Sequence, residues 1–207
     1  WSSDVCSSDL FESKFSSFLI SRNKISNEIS VIVNKIINEV REDGDQALRK
    51  ITKRLDDFDC PTFQVTETEI NTALKSFDKE LLHSFEFAFE QLLEYQLSCF
   101  NSLDLNNSNE QITRKFRVLD SVGMYVPGGK ASYPSTVLMG AAPAIACGVG
   151  EISLSSPTQH GVLNPATLAA AKVTGIKKIY KLGGAQAIAA LALGTEQVDK
   201  VDKIIGP

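Results

Sequence analysis

The sequence of 207 residues predicts an α/β protein, in which a mainly helical portion precedes a parallel β-sheet with flanking helices. Two observations support this prediction. The first 120 residues hold 35 of the 46 charged residues but only one Gly and one Pro, whereas the last 87 hold twelve Gly and six Pro. Charged, glycine-poor sequence is typical of solvated helices, and glycine-rich sequence of tight turns between strands and helices. In addition, a unit of 25 to 29 residues repeats after residue 120, as strand–helix–strand units do.

The overall composition argues against several other classes of protein. A net charge of −4 does not suit a nucleic-acid or anionic-membrane surface, which needs an excess of basic residues. The longest apolar run, 136–149, contains two Gly and one Pro, so we expect no membrane span, and we expect no signal peptide. The four cysteines are scattered along the chain, which favours reduced thiols and a cytoplasmic protein.

Both ends of the chain have unusual sequences. Residues 1–10 repeat the triplet Ser-Ser-Asp without periodicity, so we interpret them as a non-native tail and assign the helical portion to residues 11–120. At the other end, a predicted strand is followed by Gly206-Pro207, where an α/β protein normally continues into another element. We therefore expect the parallel-sheet domain, residues 121–207, to be truncated.

Four helices are predicted in the helical portion from apolar residues at helical spacing. Gly44 ends the first helix and Asp45 begins the second, while Thr66 and Glu69 form a capping-box pattern before the third. The fourth and longest runs from Asp78 to Phe100. The apolar stripes of the four helices are Ile29, Ile32, Val33, Ile36, Ile37 and Val40; Leu48, Ile51 and Leu55; Ile70 and Leu74; and Leu81, Leu82, Phe85, Phe89, Leu92, Leu93 and Leu97.

The fourth helix carries further aromatic residues. Phe87, Tyr95 and Phe100 widen its stripe, and an aromatic face of this kind is more often core or subunit interface than a cofactor site. After this helix, the Asn- and Ser-rich stretch 101–109 predicts a loop, and the alternating pattern of 112–118 predicts a strand.

Four strands and three helices alternate after residue 120. Asn164-Pro165 is a typical helix start, and Gly175 and Gly194 stand where glycines commonly end helices. Strand–helix–strand units at this spacing build a parallel sheet. The predicted strands are 122–126, 151–155, 177–181 and 202–205, and the predicted helices are 135–147, 165–173 and 185–193.

Gly and Pro cluster where the predicted strands end, which is the edge at which open parallel sheets bind ligands. The clusters are Pro127-Gly128-Gly129, Pro157, Gly183-Gly184 and Gly206-Pro207. Such glycines either let the backbone approach a phosphate group or only form short turns, and the sequence leaves both interpretations open. Known motifs do not decide the matter, because 148–153 does not complete G-x-G-x-x-G and 123–130 has the wrong spacing for a P-loop.

Two side chains at this edge are candidate ligand contacts. Tyr125 ends the first predicted strand, where its ring could stack on a nucleobase or nicotinamide and its hydroxyl could bond a ribose. Gln186 lies in the first turn of the helix after Gly183-Gly184. The alternatives are a half-buried residue at a strand end for Tyr125 and a helix cap for Gln186, and spacing alone favours them. The two histidines are 77 residues apart without metal-ligand spacing, so we expect no complete zinc site in this chain.

Three longer motifs closely resemble histidinol dehydrogenases. They are SVGMYVPGGKASYPSTVLMG from Ser121, NPATLAAAK from Asn164 and LGGAQAIAALALGTE from Leu182. The ending KVDKIIGP from Lys200 matches the point at which that family continues into Gly-Asn. In the first half the resemblance is looser and is recognisable in VREDGDQAL from Val40. It covers roughly residues 29–207 and departs from the family at Leu55 and in the polar loop 101–109.

The resemblance implies a fold and an activity. The family has Rossmann-like domains related to the aldehyde-dehydrogenase fold, and it oxidises L-histidinol to L-histidine with two NAD through an aldehyde, the last step of histidine biosynthesis. It is a zinc-dependent homodimer. By motif position Tyr125 and Gln186 are similar to its NAD contacts, and a third contact, an Asn, would follow Pro207. The zinc ligands and the proton-transferring Glu–His pair belong to the family's second half, so no catalytic or metal residue is expected in this chain.

Three functions follow from these residues and this resemblance. The first is the N-terminal half of a histidinol dehydrogenase. The second is an NAD-binding or dimer-forming module without catalysis. The third is another enzyme similar to aldehyde dehydrogenases, which would need a catalytic cysteine; Cys147, within an Ala-rich helix, is a poor candidate.

Overall fold

A computed structural model describes residues 8–103, 112, 115–128, 132–158 and 160–206. Six helices and four strands alternate along these residues in the order α1 to α3, β1, α4, β2, α5, β3, α6 and β4. The helices are α1 Ser8–Asp56, α2 Glu67–Lys75, α3 Lys79–Asn101, α4 Pro134–Ala146, α5 Pro165–Thr174 and α6 Gly184–Leu193. The strands are β1 Ser121–Tyr125, β2 Glu151–Ser155, β3 Lys178–Tyr180 and β4 Lys203–Ile205. The predicted bounds after residue 120 are therefore correct to within one residue.

The four strands form one parallel sheet in the order β3-β2-β1-β4, which confirms the predicted α/β class. Tyr125 of β1 stands opposite Ser155 of β2, and Ser155 stands opposite Tyr180 of β3. The chain builds the sheet from β1 outward to β3, and α6 then carries it back to β4 on the other side of β1. The strand order therefore reverses between β1 and β4, which makes this position a topological switch point. Ligands of open α/β sheets bind outside the carboxyl ends of the strands at such a switch point.

Helices cover both faces of the sheet. On one side α1 packs against α6 around Leu48, Ile51 and Leu191. On the other side α3 packs on α4 and α5, and the core there includes Met124 and Leu154 of the sheet.

A glycine in β1 sets how closely α6 approaches the sheet. A Cβ at Gly123 would lie 3.0 Å from Val201 and 3.1 Å from Leu191. A side chain here would make Val201 or Leu191 shift by a few tenths of an ångström, so the glycine helps α6 to pack closely on β1.

The long helix α1 contains the break predicted at Gly44, which has φ of 51° and ψ of −126° and joins two helical segments at a kink. Its apolar stripe is buried only in part. Ile36, Val40, Leu48 and Ile51 are buried, whereas Ile29, Ile32 and Leu55 are exposed. Helical spacing identifies an apolar face, but burial depends on which elements lie opposite that face.

The aromatic helix α3 is less buried than its sequence predicts. Phe85, Phe89 and Leu92 are half-buried against the core, while Phe87 and Tyr95 are 61% and 64% exposed. All residues of α3 are described, and none of them is fully buried. Two of the three residues that widen the stripe, Phe87 and Tyr95, therefore lie outside the core of this chain, while the third, Phe100, is half-buried.

Several local predictions can be compared with the structure. Thr66 and Glu69 form both bonds of the capping box, Asp78 and Asn164 cap α3 and α5, and Gly175 ends α5 in the left-handed conformation. The prediction of a strand at 112–118 is wrong for its described residues. These residues, 112 and 115–118, lie outside strands. In the predicted loop 101–109, Asn101 still belongs to α3, and 104–109 fall outside the described residues. Within the described residues no helix is long and apolar enough to cross a membrane.

Gly161 is expected to tolerate no side chain. It has φ of 82°, and a Cβ there would overlap the ring of Phe58. Gly161→Ala should lower the free energy of unfolding by about 2–4 kcal/mol, from backbone strain and overpacking together. Gly175→Ala is the matched control, because Gly175 has φ of 76° but faces open space, and it should cost about 1 kcal/mol. Urea denaturation followed by circular dichroism measures both; equal losses would contradict a role for Phe58.

Candidate functional site

The ends of β1, β2 and β3 are held together by backbone hydrogen bonds that continue past the strands. Val126 N–H donates to Ser155 O at 2.9 Å, and Ser156 N–H donates to Tyr180 O at 3.1 Å. The loops after the three strands therefore start from one line at the carboxyl edge of the sheet. This is the edge at which the sequence places its Gly and Pro clusters.

Tyr125 connects this edge to helix α6. It is the half-buried last residue of β1, and its hydroxyl oxygen accepts a hydrogen bond of 3.1 Å from Gly184 N–H. Gly184 is the first residue of α6, and the residue before it, Gly183, provides no side-chain cap. Tyr125 therefore satisfies one of the free N–H groups at this helix end. Because its oxygen acts as the acceptor in this bond, its own O–H can donate to another group.

Gln186 lies in the first turn of α6 and is 1% exposed. Its Oε1 is buried without a hydrogen-bond partner among the described residues. It lies against Gly184, since a Cβ on that glycine would be 2.7 Å from Oε1. Gln186 makes no capping bond to α6, which argues against its interpretation as a helix cap. A buried amide oxygen without a donor costs about 1–3 kcal/mol, so this atom needs an explanation.

The structure thus brings the two candidate residues to the same helix end. Tyr125 contacts Gly184 through its hydroxyl, and Gln186 follows Gly184 by two residues. Gly184 has φ of 60°, a conformation that favours glycine at this position. Tyr125 is half-buried at a strand end, as the alternative interpretation expects. That interpretation does not account for the hydrogen bond between Gly184 N–H and its hydroxyl.

Packing accounts for several of the clustered glycines. A Cβ at Gly183 would lie 2.5 Å from Cβ of Pro157, and one at Gly128 would lie 2.8 Å from Pro157 O. A Cβ at Gly206 would lie 2.6 Å from Tyr125 O. These three glycines are required by close approach between loops, so their presence does not by itself indicate a phosphate site. Gly129 and Pro207 lie outside the described residues.

A cavity of about 390 Å³ adjoins these loops at the carboxyl end of β2. It lies between the loop after β1 and the start of α5, with Gly128, Pro157, His160 and Asn164 in its wall. His160 is exposed and has φ of 50°, which is uncommon for a residue with a side chain.

Groups that could hold a metal ion are absent from the described part of the chain, where no three His, Cys, Asp or Glu residues come close enough together. His83 lies on α3, 3.6 Å from Glu86, and is separate from the exposed His160. Cys60 is buried and its thiol bonds Thr62 O at 3.2 Å; burial raises the pKa of this thiol, which disfavours a nucleophilic thiolate. Cys147 follows α4 and precedes β2, at the amino edge of the sheet and away from Tyr125.

A cluster of three charged side chains also lies at the amino edge. Lys178, the first residue of β3, forms ion pairs of 2.6 Å with Asp199 and 2.8 Å with Glu151. Hydrogen bonds to these two carboxylates raise the pKa of Lys178. At the carboxyl edge, by contrast, the candidate contacts are an uncharged hydroxyl and an uncharged amide.

Sequence reasoning named Tyr125 and Gln186 but missed Ser155. Its Oγ donates to Leu182 O at 2.9 Å, which ties β2 to the loop before α6. A serine at the end of a strand has no distinctive sequence pattern, so only the tertiary contact identifies it. The sequence indicates a turn at Pro157 but does not predict that this residue packs against Gly128 and Gly183.

The sequence of this chain is similar to those of known proteins. The family model described as histidinol dehydrogenase matches residues 20–207. The chain is 39% identical over 201 residues to the histidinol dehydrogenase of Agrobacterium fabrum, covering 95% of this chain and 46% of that protein. It is 43% identical over 194 residues to that of Methanocaldococcus jannaschii, covering 91% and 45%.

A solved structure is also similar. The crystal structure of histidinol dehydrogenase from Elizabethkingia anophelis superposes with a TM-score of 0.80 at 34% identity, covering 86% of this chain and 42% of that one. The chain therefore spans less than half the length of these relatives. Because the family model matches nine-tenths of its residues, the chain belongs to the histidinol dehydrogenase family.

Proposed function

We propose that this chain forms the NAD-binding part of a histidinol dehydrogenase, which oxidises L-histidinol to L-histidine through L-histidinaldehyde with two NAD, in the last step of histidine biosynthesis. The observation that carries the proposal is the meeting of Tyr125 and Gln186 at the start of α6 in a chain of this family. A cytoplasmic homodimer as the complete protein is part of the same proposal.

The donor and acceptor groups at the helix end fit a dinucleotide. The buried Oε1 of Gln186 has no donor in the described chain, and the amide and hydroxyl groups of NAD can supply one. The Tyr125 hydroxyl is oriented by Gly184 N–H and is able to donate to a ribose or phosphate oxygen. NAD, when bound, accepts the hydride removed from the substrate. The chain's own residues then bind and orient the nucleotide.

Zinc does not fit the described residues, although the family uses it. Zinc in proteins needs three or four His, Cys, Asp or Glu ligands, and no such group is present in the described ranges. We therefore assign no catalytic or metal-binding role to this chain, and the proposal places those roles in the part of the relatives that this chain does not match.

The second candidate function is an NAD-binding or dimer-forming module without catalysis. This candidate has the same nucleotide site as the first and differs only in having no catalytic part beside it. The exposed apolar residues of α1, among them Phe11, Phe15 and Ile32, and the exposed Phe87 and Tyr95 of α3 provide surfaces for a partner. The third candidate, an enzyme with a nucleophilic cysteine, is disfavoured because Cys147 lies at the opposite edge of the sheet.

NAD should bind to this chain. Tyr125→Phe should raise the Kd for NAD about five- to tenfold, because the variant loses both the hydrogen bond from Gly184 N–H and the proposed hydrogen bond to NAD. Isothermal titration calorimetry with NAD measures this Kd. Tyr95→Phe is the matched control, since Tyr95 is exposed on α3, and it should leave the Kd unchanged. No binding by the unaltered chain would reject the proposed function.

Gln186→Met should weaken NAD binding without lowering stability. The variant removes a buried oxygen that has no partner in the free chain, so the free energy of unfolding should stay equal or rise by up to about 1 kcal/mol. The Kd for NAD should rise about tenfold, because the ligand loses its acceptor. Denaturation and calorimetry on the same samples separate the two effects. Parallel losses of stability and affinity would instead assign Gln186 a structural role.

The chain alone should not form NADH from L-histidinol, even with added zinc, because its described residues hold no metal-binding group. The absorbance of NADH measures turnover, and a full-length histidinol dehydrogenase serves as the positive control. Appreciable turnover would contradict the assignment of catalysis to residues outside this chain.

A further inference from the structure

Ser155 makes a contact that the proposed nucleotide binding does not use directly. It is the last residue of β2 and is 1% exposed. Its Oγ donates a hydrogen bond of 2.9 Å to Leu182 O, and both groups are buried. Leu182 directly precedes Gly183 and Gly184, the residues at which α6 begins.

The same residue is also tied to β1. In the parallel register Ser155 stands opposite Tyr125, and Ser155 O accepts a hydrogen bond of 2.9 Å from Val126 N–H. The backbone of Ser155 thus holds the end of β1, and its side chain holds the loop before α6. One residue links the strand that carries Tyr125 to the helix that carries Gln186.

The loop before α6 needs an anchor of this kind. The ladder between β2 and β3 ends with the bond from Ser156 N–H to Tyr180 O, and the last backbone hydrogen bond before Leu182 is that from Lys181 N–H to Phe63 O at 2.7 Å. Beyond Leu182 come two glycines, of which Gly184 has φ of 60°, and glycine has the greatest backbone freedom of any residue. The Ser155 hydroxyl extends the connection past the end of the ladder. Pro157 adds only a packing contact, against Gly183.

We propose that Ser155 is a positioning residue of the nucleotide site: it fixes the Leu182–Gly184 loop so that Gly184 N–H meets the Tyr125 hydroxyl and Gln186 Oε1 faces the same ligand. This proposal rests on the proposed function. Ser155 itself does not touch the nucleotide, and it acts through the position of α6 relative to β1.

Ser155→Ala tests this proposal, with NAD as the ligand and calorimetry on the full chain. Loss of the hydroxyl leaves Leu182 O without its donor and frees the loop, so the Kd for NAD should rise about tenfold. Ser155→Cys has a somewhat larger side chain that donates a weaker hydrogen bond, so its Kd should lie between those of the serine and alanine forms. The hydrogen exchange rate of the Gly184 amide, measured by NMR without NAD, should rise from the serine form to the cysteine form and further to the alanine form.

Ser153→Ala is the matched control. Ser153 lies two residues earlier in β2, points to the same face of the sheet and is 0% exposed, but its Oγ has no hydrogen-bond partner among the described residues. Its removal should leave both the Kd and the Gly184 exchange rate unchanged.

The outcomes separate this proposal from the proposed function. If the unaltered chain does not bind NAD, both are rejected. If it binds and Ser155→Ala has an unchanged Kd, or Ser153→Ala weakens binding equally, only the role of Ser155 is rejected. If Ser155→Ala does not fold, Ser155→Cys decides, since an unchanged Kd and exchange rate in that variant would overturn the proposal.

Discussion

The parallel register of β1, β2 and β3 aligns Tyr125, Ser155 and Tyr180 side by side at the carboxyl edge of the sheet. Backbone hydrogen bonds between the strands fix this alignment, and the position of each following loop depends on it. A shift of one residue in β2 would turn Ser155 to the other face of the sheet and remove its bond to Leu182. The meeting of β1 with the start of α6 therefore depends on strand pairing.

Close packing makes this arrangement possible. Gly123 allows Leu191 of α6 to approach the sheet, and Gly183 allows Pro157 to lie against the loop before that helix. The buried residues of α6 are mostly alanines, which let the helix pack closely on the strands. These small residues thus allow the close packing that brings the start of α6 within hydrogen-bond distance of Tyr125.

Ion pairs lie at both edges of the sheet, whereas the two candidate side chains are a hydroxyl and an amide. The ion pairs of Lys178 with Glu151 and Asp199 hold the amino edge of the sheet together, where β2 and β3 begin. At the carboxyl edge Lys181, which follows β3, pairs with Glu69 at 3.0 Å, and the candidate site next to β1 presents a hydroxyl, an amide and a helix N-terminus. These groups are suited to holding a ligand by directed hydrogen bonds and by the partial positive charge of the helix end. They support the proposed nucleotide-binding role of this chain, which belongs to the histidinol dehydrogenase family.

The sequence by itself determined the class of fold, the strands and helices after residue 120, the helix caps at Thr66 and Asn164, and the two candidate residues. These features are local, because glycine, capping residues and apolar spacing act within a few positions of the chain. It failed for the strand predicted at 112–118, whose described residues lie outside strands, since alternation does not supply a pairing partner.

Only the tertiary structure decided which apolar faces are buried and which polar groups meet. Ile29 and Ile36 belong to one helical stripe, yet only Ile36 is buried, because burial requires a neighbouring element. The bond between Tyr125 and Gly184 joins residues 59 positions apart, and the anchoring of Leu182 by Ser155 joins residues 27 positions apart. The strand order likewise joins distant parts of the chain. Such contacts follow from how the elements pack in space, and no pattern of neighbouring residues encodes them.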